Sequence, residues 1–205
     1  MCAKDLREGK EALIFSLQKG RARLAIKRGQ EDRDVLTLKQ VHSARVYLLS
    51  EAVEGLEGDG IITQTPGLKI GIRTADCVPV AFLGEKTVAV VHAGWRGLRE
   101  GIIEKTLEML SSLEGLENFL AFVGPSARAC CYEVGEEFKD YFVSLHYKNG
   151  KHYMDTQSET ILRLKKGGIG RIFHYGVCTI CHHSLPSYRR DKTQERILTF
   201  VELVA

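Results

Sequence analysis

The sequence predicts an α+β fold in a single domain, residues 1–205, with mixed β-sheets flanked by helices. Three observations carry that reading. Short apolar runs rich in β-branched residues outnumber helical patterns along the chain. The helical patterns do not alternate regularly with the strands, as repeated βαβ units would require. No internal repeat or Pro/Ser-rich linker divides the chain, and its four prolines stand apart at 66, 79, 125 and 186. With 205 residues, 44% of them hydrophobic, the chain is long enough for one well-packed core.

Taken in order, residues 11–17 and 22–27 read as two strands around the turn-prone Lys19-Gly20. Residues 35–41 and 46–49 are strand-like and flank His42. Gly58-Asp59-Gly60 is a turn before a short strand at 61–63. Residues 68–74, 78–83 and 87–91 are apolar enough to be buried strands. One helix is predicted over 98–113, where Ile102, Ile103, Leu107 and Leu110 recur at helical spacing. A strand at 119–123 ends in Gly124-Pro125. Helices are predicted over 135–142 and over 156–166, the second stopping at Gly167-Gly168. Strands at 169–177 and 197–203 close the chain.

The formal net charge is only +3, with acids and bases intermixed. No dense basic run marks a nucleic-acid binder, although small anionic substrates remain open. The N-terminal apolar stretch from Ala12 to Leu17 is too short for a signal-peptide core with a cleavage site. No run approaches the ~20 apolar residues of a membrane span. These readings predict a cytoplasmic chain that does not associate with membranes, acting as a monomer or small homo-oligomer. Its six cysteines then serve packing, metal binding or catalysis rather than a disulfide frame.

His42, Cys77 and His92 each lie where a predicted strand meets a loop, a rigid setting for a preorganised site. Two imidazoles and a thiolate suit zinc, and three protein ligands leave a fourth position open. The residues alone leave blander readings in place. Cys77 also reads as a small core residue and each histidine as a hydrogen-bonded one, because no short-range ligand pair supports the trio. Gly94-Trp95-Arg96-Gly97 reads either as a phosphate-holding turn at a helix start or as an ordinary strand-to-helix turn. Arg189-Arg190 is a candidate anion-binding pair or a solvated surface pair. Cys178-Thr179-Ile180-Cys181-His182 matches the haem-attachment spacing, but haem attachment accompanies export, for which there is no signal. Cys130-Cys131 is adjacent in sequence, a poor start for a second zinc site, so all four cysteines are read as structural thiols.

Several segments taken together resemble a known family. They are Gln40-Val41-His42, 58–63, Thr74-Ala75-Asp76-Cys77-Val78-Pro79, 91–97, Gly124-Pro125, 131–135, Cys178-Thr179 and Ser187-Tyr188-Arg189-Arg190. In that order they resemble the YfiH-like family, long labelled laccase-domain or multicopper polyphenol oxidoreductase, and better described as purine nucleoside phosphorylases with adenosine deaminase activity. The resemblance spans about residues 35–203. It implies a YfiH-like fold and a zinc site built from His42, Cys77 and His92. It also implies phosphorolysis of adenosine, inosine and methylthioadenosine, with purine nucleosides and phosphate as small-molecule partners, and hydrolytic deamination of adenosine. The chain departs from the family pattern in a shorter region before Gln40, and in Thr193-Gln194-Glu195-Arg196 where Thr-Gly-Arg is common.

In that frame the catalytic candidates are Asp76, Cys77 and Arg96, with Asp59 a further candidate for proton transfer or for support of a ligand. Gln40, Arg73, Arg96, Arg189 and Arg190 are the candidates for binding substrate and phosphate. Two enzyme alternatives remain: a copper-dependent phenol oxidase, since imidazole also suits copper, and a hydrolase with Cys77 as nucleophile. A third is a non-catalytic binding protein.

Overall fold

The computed structural model describes residues 13–29, 32 and 34–204. The expected strand start at residues 11 and 12, and Cys2, lie outside the described residues. The chain forms β1 (Leu13–Lys19), β2 (Ala22–Arg28), β3 (Val35–Thr37), β4 (Val46–Leu48), β5 (Gly60–Thr63), β6 (Lys69–Thr74), β7 (Val78–Leu83) and β8 (Val88–Ala93). Two helices follow, α1 (Trp95–Arg99) and α2 (Ile102–Leu113), then β9 (Leu120–Val123). Next come β10 (Glu133–Val134), β11 (Leu145–Lys148), β12 (Lys151–Met154), α3 (Thr156–Lys166), β13 (Arg171–His174), α4 (Tyr188–Asp191) and β14 (Ile197–Leu203).

Two mixed sheets and a helical layer stack on one another. One sheet runs β1-β2-β14-β6-β3 and the other β13-β9-β7-β8-β5-β4. β7 and β8 are buried on both faces, which is why Val-Pro-Val-Ala-Phe-Leu and Val-Ala-Val-Val-His-Ala read as near-continuous apolar runs. Their alternation divides two cores. Ala81, Leu83, Val88 and Val90 join Leu24, Ile26, Ile70, Ile72 and Val201 between the sheets. Val80, Phe82, Ala89 and Val91 pack instead against Leu98, Ile102, Ile103, Leu107 and Leu110 of the helical layer and Leu164 of α3. The two cores share these strands, so the described residues form one domain of α+β class, as expected.

α3 begins and ends where the sequence places it, because Asp155 caps it by accepting the Ser158 N–H at 3.0 Å. Three expectations need correction. The helix over 98–113 is two helices, broken at Gly101, whose φ of 82° lies in the left-handed region. The segment 135–142 is a 3-10 helix over Glu136–Asp140 rather than an α-helix. The strand over 35–41 stops at Thr37. The sequence reading also omitted a small sheet, β10-β12-β11. Its hairpin turns at Asn149-Gly150, with φ of 52° and 77°, the residue pair such tight turns favour.

The break at Gly101 is open to test. A Cβ there meets nothing closer than 3.5 Å, so Gly101→Ala is resisted only by backbone conformation. It is expected to lower stability by ~1–2 kcal/mol in urea unfolding. A continuous helix would instead gain ~1 kcal/mol from the same change.

Candidate metal centre and substrate cleft

The three predicted ligands arrive from three separate pieces of backbone. His92 is the fifth residue of β8, paired across from Pro79 of β7, so it lies within the strand rather than beyond its end. Cys77 sits in the turn between β6 and β7, immediately before Val78. His42 lies on the segment between β3 and β4 in a left-handed conformation, with φ of 61°. Their ligand atoms all lie within 4.8 Å of one another. The two imidazole rings meet edge to face with centroids 4.8 Å apart. His92 is buried, Cys77 half-buried and His42 exposed, so the group opens toward solvent on one side. Gly94 makes this approach possible, since a Cβ there would stand 3.1 Å from both Cys77 Sγ and His42 Cδ2.

Asp59 organises the group from behind. Fully buried, its carboxylate accepts His92 Nδ1–H at 2.7 Å and the backbone N–H groups of Val41, His42 and Ser43 at 3.3, 3.0 and 2.6 Å. It also accepts the Ser43 hydroxyl at 2.8 Å, and its own backbone carbonyl accepts the His92 N–H at 2.7 Å. A carboxylate only accepts, so the proton on His92 is held at Nδ1 and Nε2 is left to face the other two ligands. Burial alone would raise the Asp59 carboxyl, but His92 and Ser43 outweigh it and hold the group at about 2. Burial likewise opposes charge on Cys77 and His92. The flanking imidazoles nevertheless draw the thiol below its ordinary value, while Cys77 and Asp59 lift His92 above its own. Without metal the pair is therefore a thiolate facing an imidazolium; a metal at Nε2 would displace that ring's second proton while Asp59 keeps the one at Nδ1.

The trio lies in the wall of a cleft of about 890 Å³. Lys39, Arg73, Arg96, Arg189, Lys192 and Arg196 all line it, alongside Trp95, Tyr132 and Tyr188. The Arg96 guanidinium lies over the Trp95 ring at 4.8 Å, that of Arg189 over Tyr132 at 5.0 Å, and Lys192 over Tyr188 at 4.9 Å. Such a surface suits a flat aromatic ring and an anion together.

Other predicted site residues have different surroundings. The Gln40 amide is closed on the Arg73 backbone, donating to its carbonyl and accepting its N–H, each at 2.8 Å. Gln40 lines the cleft, but its role is to hold β6 rather than to reach a ligand. Arg73 also lines the cleft while donating to the Thr37 hydroxyl at 2.9 Å. Arg190 must be reassigned. It donates to the carbonyls of Thr179, Ile180 and Leu185 at 2.9 Å and pairs with Asp191, so its fork binds its own loop. Asp76 has both oxygens engaged, one by the Thr179 hydroxyl at 2.7 Å and the other by the Arg189 N–H at 2.6 Å. Of the divergent 193–196 segment, Gln194 and Arg196 line the cleft, whereas Glu195 turns away to pair with Arg28 at 2.6 Å. Residues 94–97 lie at the start of α1 rather than in a free turn. The sequence reading passed over Tyr132, Tyr188, Lys39 and Lys192. Tyr132 and Tyr188 stand inside segments that carried the resemblance, which was the available signal. The four cysteines read as structural thiols converge: the sulfurs of Cys130, Cys131, Cys178 and Cys181 also lie within 4.8 Å of one another.

Layered sheets with two imidazoles and a thiolate converging at a cationic, aromatic cleft define a class, a single-domain protein with a candidate metal centre. The chain belongs to the family described as multi-copper polyphenol oxidoreductase laccase, which it matches over residues 15–204. It is 45% identical to a purine nucleoside phosphorylase of Aquifex aeolicus, across 100% of both chains. It is 28% identical to adenosine deaminase RL5 of an unknown prokaryotic organism, over 80% of this chain and 72% of that one. The crystal structure of YlmD from Geobacillus stearothermophilus shares the fold, with a TM-score of 0.81 at 20% identity, covering 90% of this chain and 93% of that one.

Because Asp59 is held below its unfolded-state value near 4, its stabilising effect is complete above that pH and is lost as the pH falls through about 2. In protein stripped of metal by chelation, Asp59→Asn should remove about 2 kcal/mol of that acid-sensitive stability, read as a flatter unfolding profile from pH 5 to 2. The same variant should weaken metal binding ~10- to 100-fold in a competition titration.

Proposed function

We propose that this protein is a zinc-dependent purine nucleoside phosphorylase that also deaminates adenosine. The observation that carries the reading is the convergence of His42, Cys77 and His92 at a cleft lined by both cations and aromatic rings. Imidazole and thiolate donors in a three-ligand set fit zinc with one position left for a reactant. Bound there, zinc supplies a Lewis acid able to activate water or to orient an anion at neutral pH.

The protein's own groups supply the rest. Arg96, Arg189 and Arg73 hold phosphate and offset its charge as it approaches the ribose anomeric carbon. Tyr188 and Tyr132 offer ring faces for the purine. Phosphate then takes the place of the base at that carbon, giving ribose 1-phosphate and the free purine. With water in place of phosphate and adenosine turned toward the centre, attack at C6 releases ammonia and leaves inosine. Asp59 acts through His92 as a positioning residue, and Asp76 sets the Cys77 turn against Arg189 and Thr179. Neither has a free oxygen with which to shuttle a proton, so both are assigned support rather than proton transfer. Among the described residues, no helix is long and apolar enough to cross a membrane; we place the enzyme in the cytoplasm, where reduced thiols persist.

A laccase-type reaction is less well supported. Multicopper centres draw on many histidines, and among the described residues the only metal-competent group containing histidine holds two. A cysteine hydrolase has one specific observation in its favour, the chain Cys77–His92–Asp59, which has the order of a nucleophile, base and orienting acid. Such a triad leaves His42 without a role. Alkylation of Cys77 in active protein freed of metal separates the two readings.

Adenosine, inosine and methylthioadenosine should each yield free base and a sugar 1-phosphate only when phosphate is present, and adenosine should release ammonia without it. Cys77→Ala should lose the zinc of this centre and at least ~1,000-fold of both activities; full activity in that variant excludes the scheme. Arg96→Ala should raise the KM for phosphate ~10-fold or more, with a thermal midpoint close to wild type because Arg96 is exposed.

A further inference from the structure

Cys130, Cys131, Cys178 and Cys181 form a second cluster, away from the catalytic trio and with no part in the proposed reaction. Its origin lies in the sheet. β9 and β13 are parallel neighbours, so the loops that follow them leave from the same edge. The two loops are stitched together where Ser126 N–H reaches the Val177 carbonyl at 3.2 Å and Thr179 N–H reaches the Ser126 carbonyl at 3.1 Å. This juxtaposition carries Cys130-Cys131 on one loop against Cys178-x-x-Cys181 on the other.

All four sulfurs lie within 4.8 Å of one another, and Cys130 Sγ and Cys181 Sγ are 3.8 Å apart. That spacing is far beyond a disulfide bond of ~2.05 Å. It equals the edge of a sulfur tetrahedron around one ion with metal–sulfur bonds of ~2.3 Å, an edge of about 3.8 Å. The adjacency of Cys130 and Cys131 does not prevent both from contributing, since the fold already aims the two sulfurs at one point.

We infer that these four cysteines bind a second zinc ion, in a closed tetrathiolate site that fastens the loop carrying Tyr132 to the loop carrying Thr179. Four thiolates fill a tetrahedral ion, leaving no position for substrate, so the site is structural. Its influence reaches the cleft through contacts already present. Thr179 donates to Asp76 beside Cys77, Arg190 clamps the Thr179 and Ile180 carbonyls, and Tyr132 lines the cleft wall.

Elemental analysis of the purified, dialysed chain tests the inference, paired with thiol titration after denaturation under non-reducing conditions. Wild-type protein should contain two zinc equivalents, and the Cys178→Ser/Cys181→Ser variant one, with a lower thermal midpoint and a raised KM for nucleoside. Cys77→Ala should retain one equivalent, held by the cysteine cluster. If Cys77→Ala instead keeps as much metal as wild type while the double-serine variant loses its metal, the catalytic-centre reading fails and this one stands. Should the serine variant not fold, cobalt loading of Cys77→Ala gives an independent readout. Its spectrum should show the intense, red-shifted ligand-field bands of a tetrathiolate. A featureless cobalt spectrum, a single metal equivalent that disappears with Cys77→Ala, iron in place of zinc, or two titratable thiols missing to a disulfide would each overturn the assignment.

Discussion

One buried carboxylate sets the geometry on which the rest of the site depends. Asp59 receives five hydrogen-bond donors, three of them consecutive backbone amides, and through them it fixes both histidines. His92 is oriented directly through its ring nitrogen. His42 is positioned indirectly, because the Asp59 oxygens gather residues 41–43 into the tight path that gives His42 its left-handed backbone. An unpaired buried carboxylate would be strongly destabilising. Surrounded by donors, it becomes a rigid reference point at the start of β5, next to the central strand β8. The thiolate of Cys77 and the imidazole of His92 each favour the charged form of the other, but they do so in a frame that Asp59 has already fixed.

Mechanical support comes from the layered core. β8 is buried on both faces and paired with β5 and β7, so His92 belongs to one of the least deformable parts of the chain. Cys77 immediately precedes β7, and Pro79 of that strand pairs across from His92. Those two ligands are positioned by the sheet. The third comes from a connecting segment, and the cleft wall beyond it draws on Arg73 of β6, Trp95 and Arg96 of α1, and the loop and turn around α4.

Much of this was legible in the sequence, for identifiable reasons. The central strands announce themselves because burial on both faces demands unbroken apolar runs, and α3 because Gly167-Gly168 marks its end. The break at Gly101 was not legible, since a lone glycine is tolerated within helices and apolar spacing continues on both sides of it. The hairpin of β11 and β12 carried its signal in Asn149-Gly150, but its strands are largely exposed and polar, which erases the alternation. In the site, His42, Cys77 and His92 stood out as ligand types at strand ends, but only the resemblance joined them into one centre, because gaps of 35 and 15 residues carry no geometric information by themselves. Gln40 and Arg190 show the limit of reading donors from sequence. Residue type gives the hydrogen-bonding capacity, and only the fold reveals that backbone groups already satisfy it. Cys130 and Cys131 show the converse, where adjacency in sequence concealed a convergence that parallel strand pairing creates.

Arg190 gives the architecture a division of labour. Its guanidinium binds three carbonyls of a single loop and so secures the short helix that presents Tyr188 and Lys192. Tyr188 and Lys192 therefore sit on a bracket of their own, which meets the Cys77 turn through the Thr179 and Arg189 bonds to Asp76. Exchanging side chains at 188, 192 or 194 would reshape the recognition surface while leaving the chemical apparatus in place. A lineage built this way can change what its cleft accepts without rebuilding the ligand cluster.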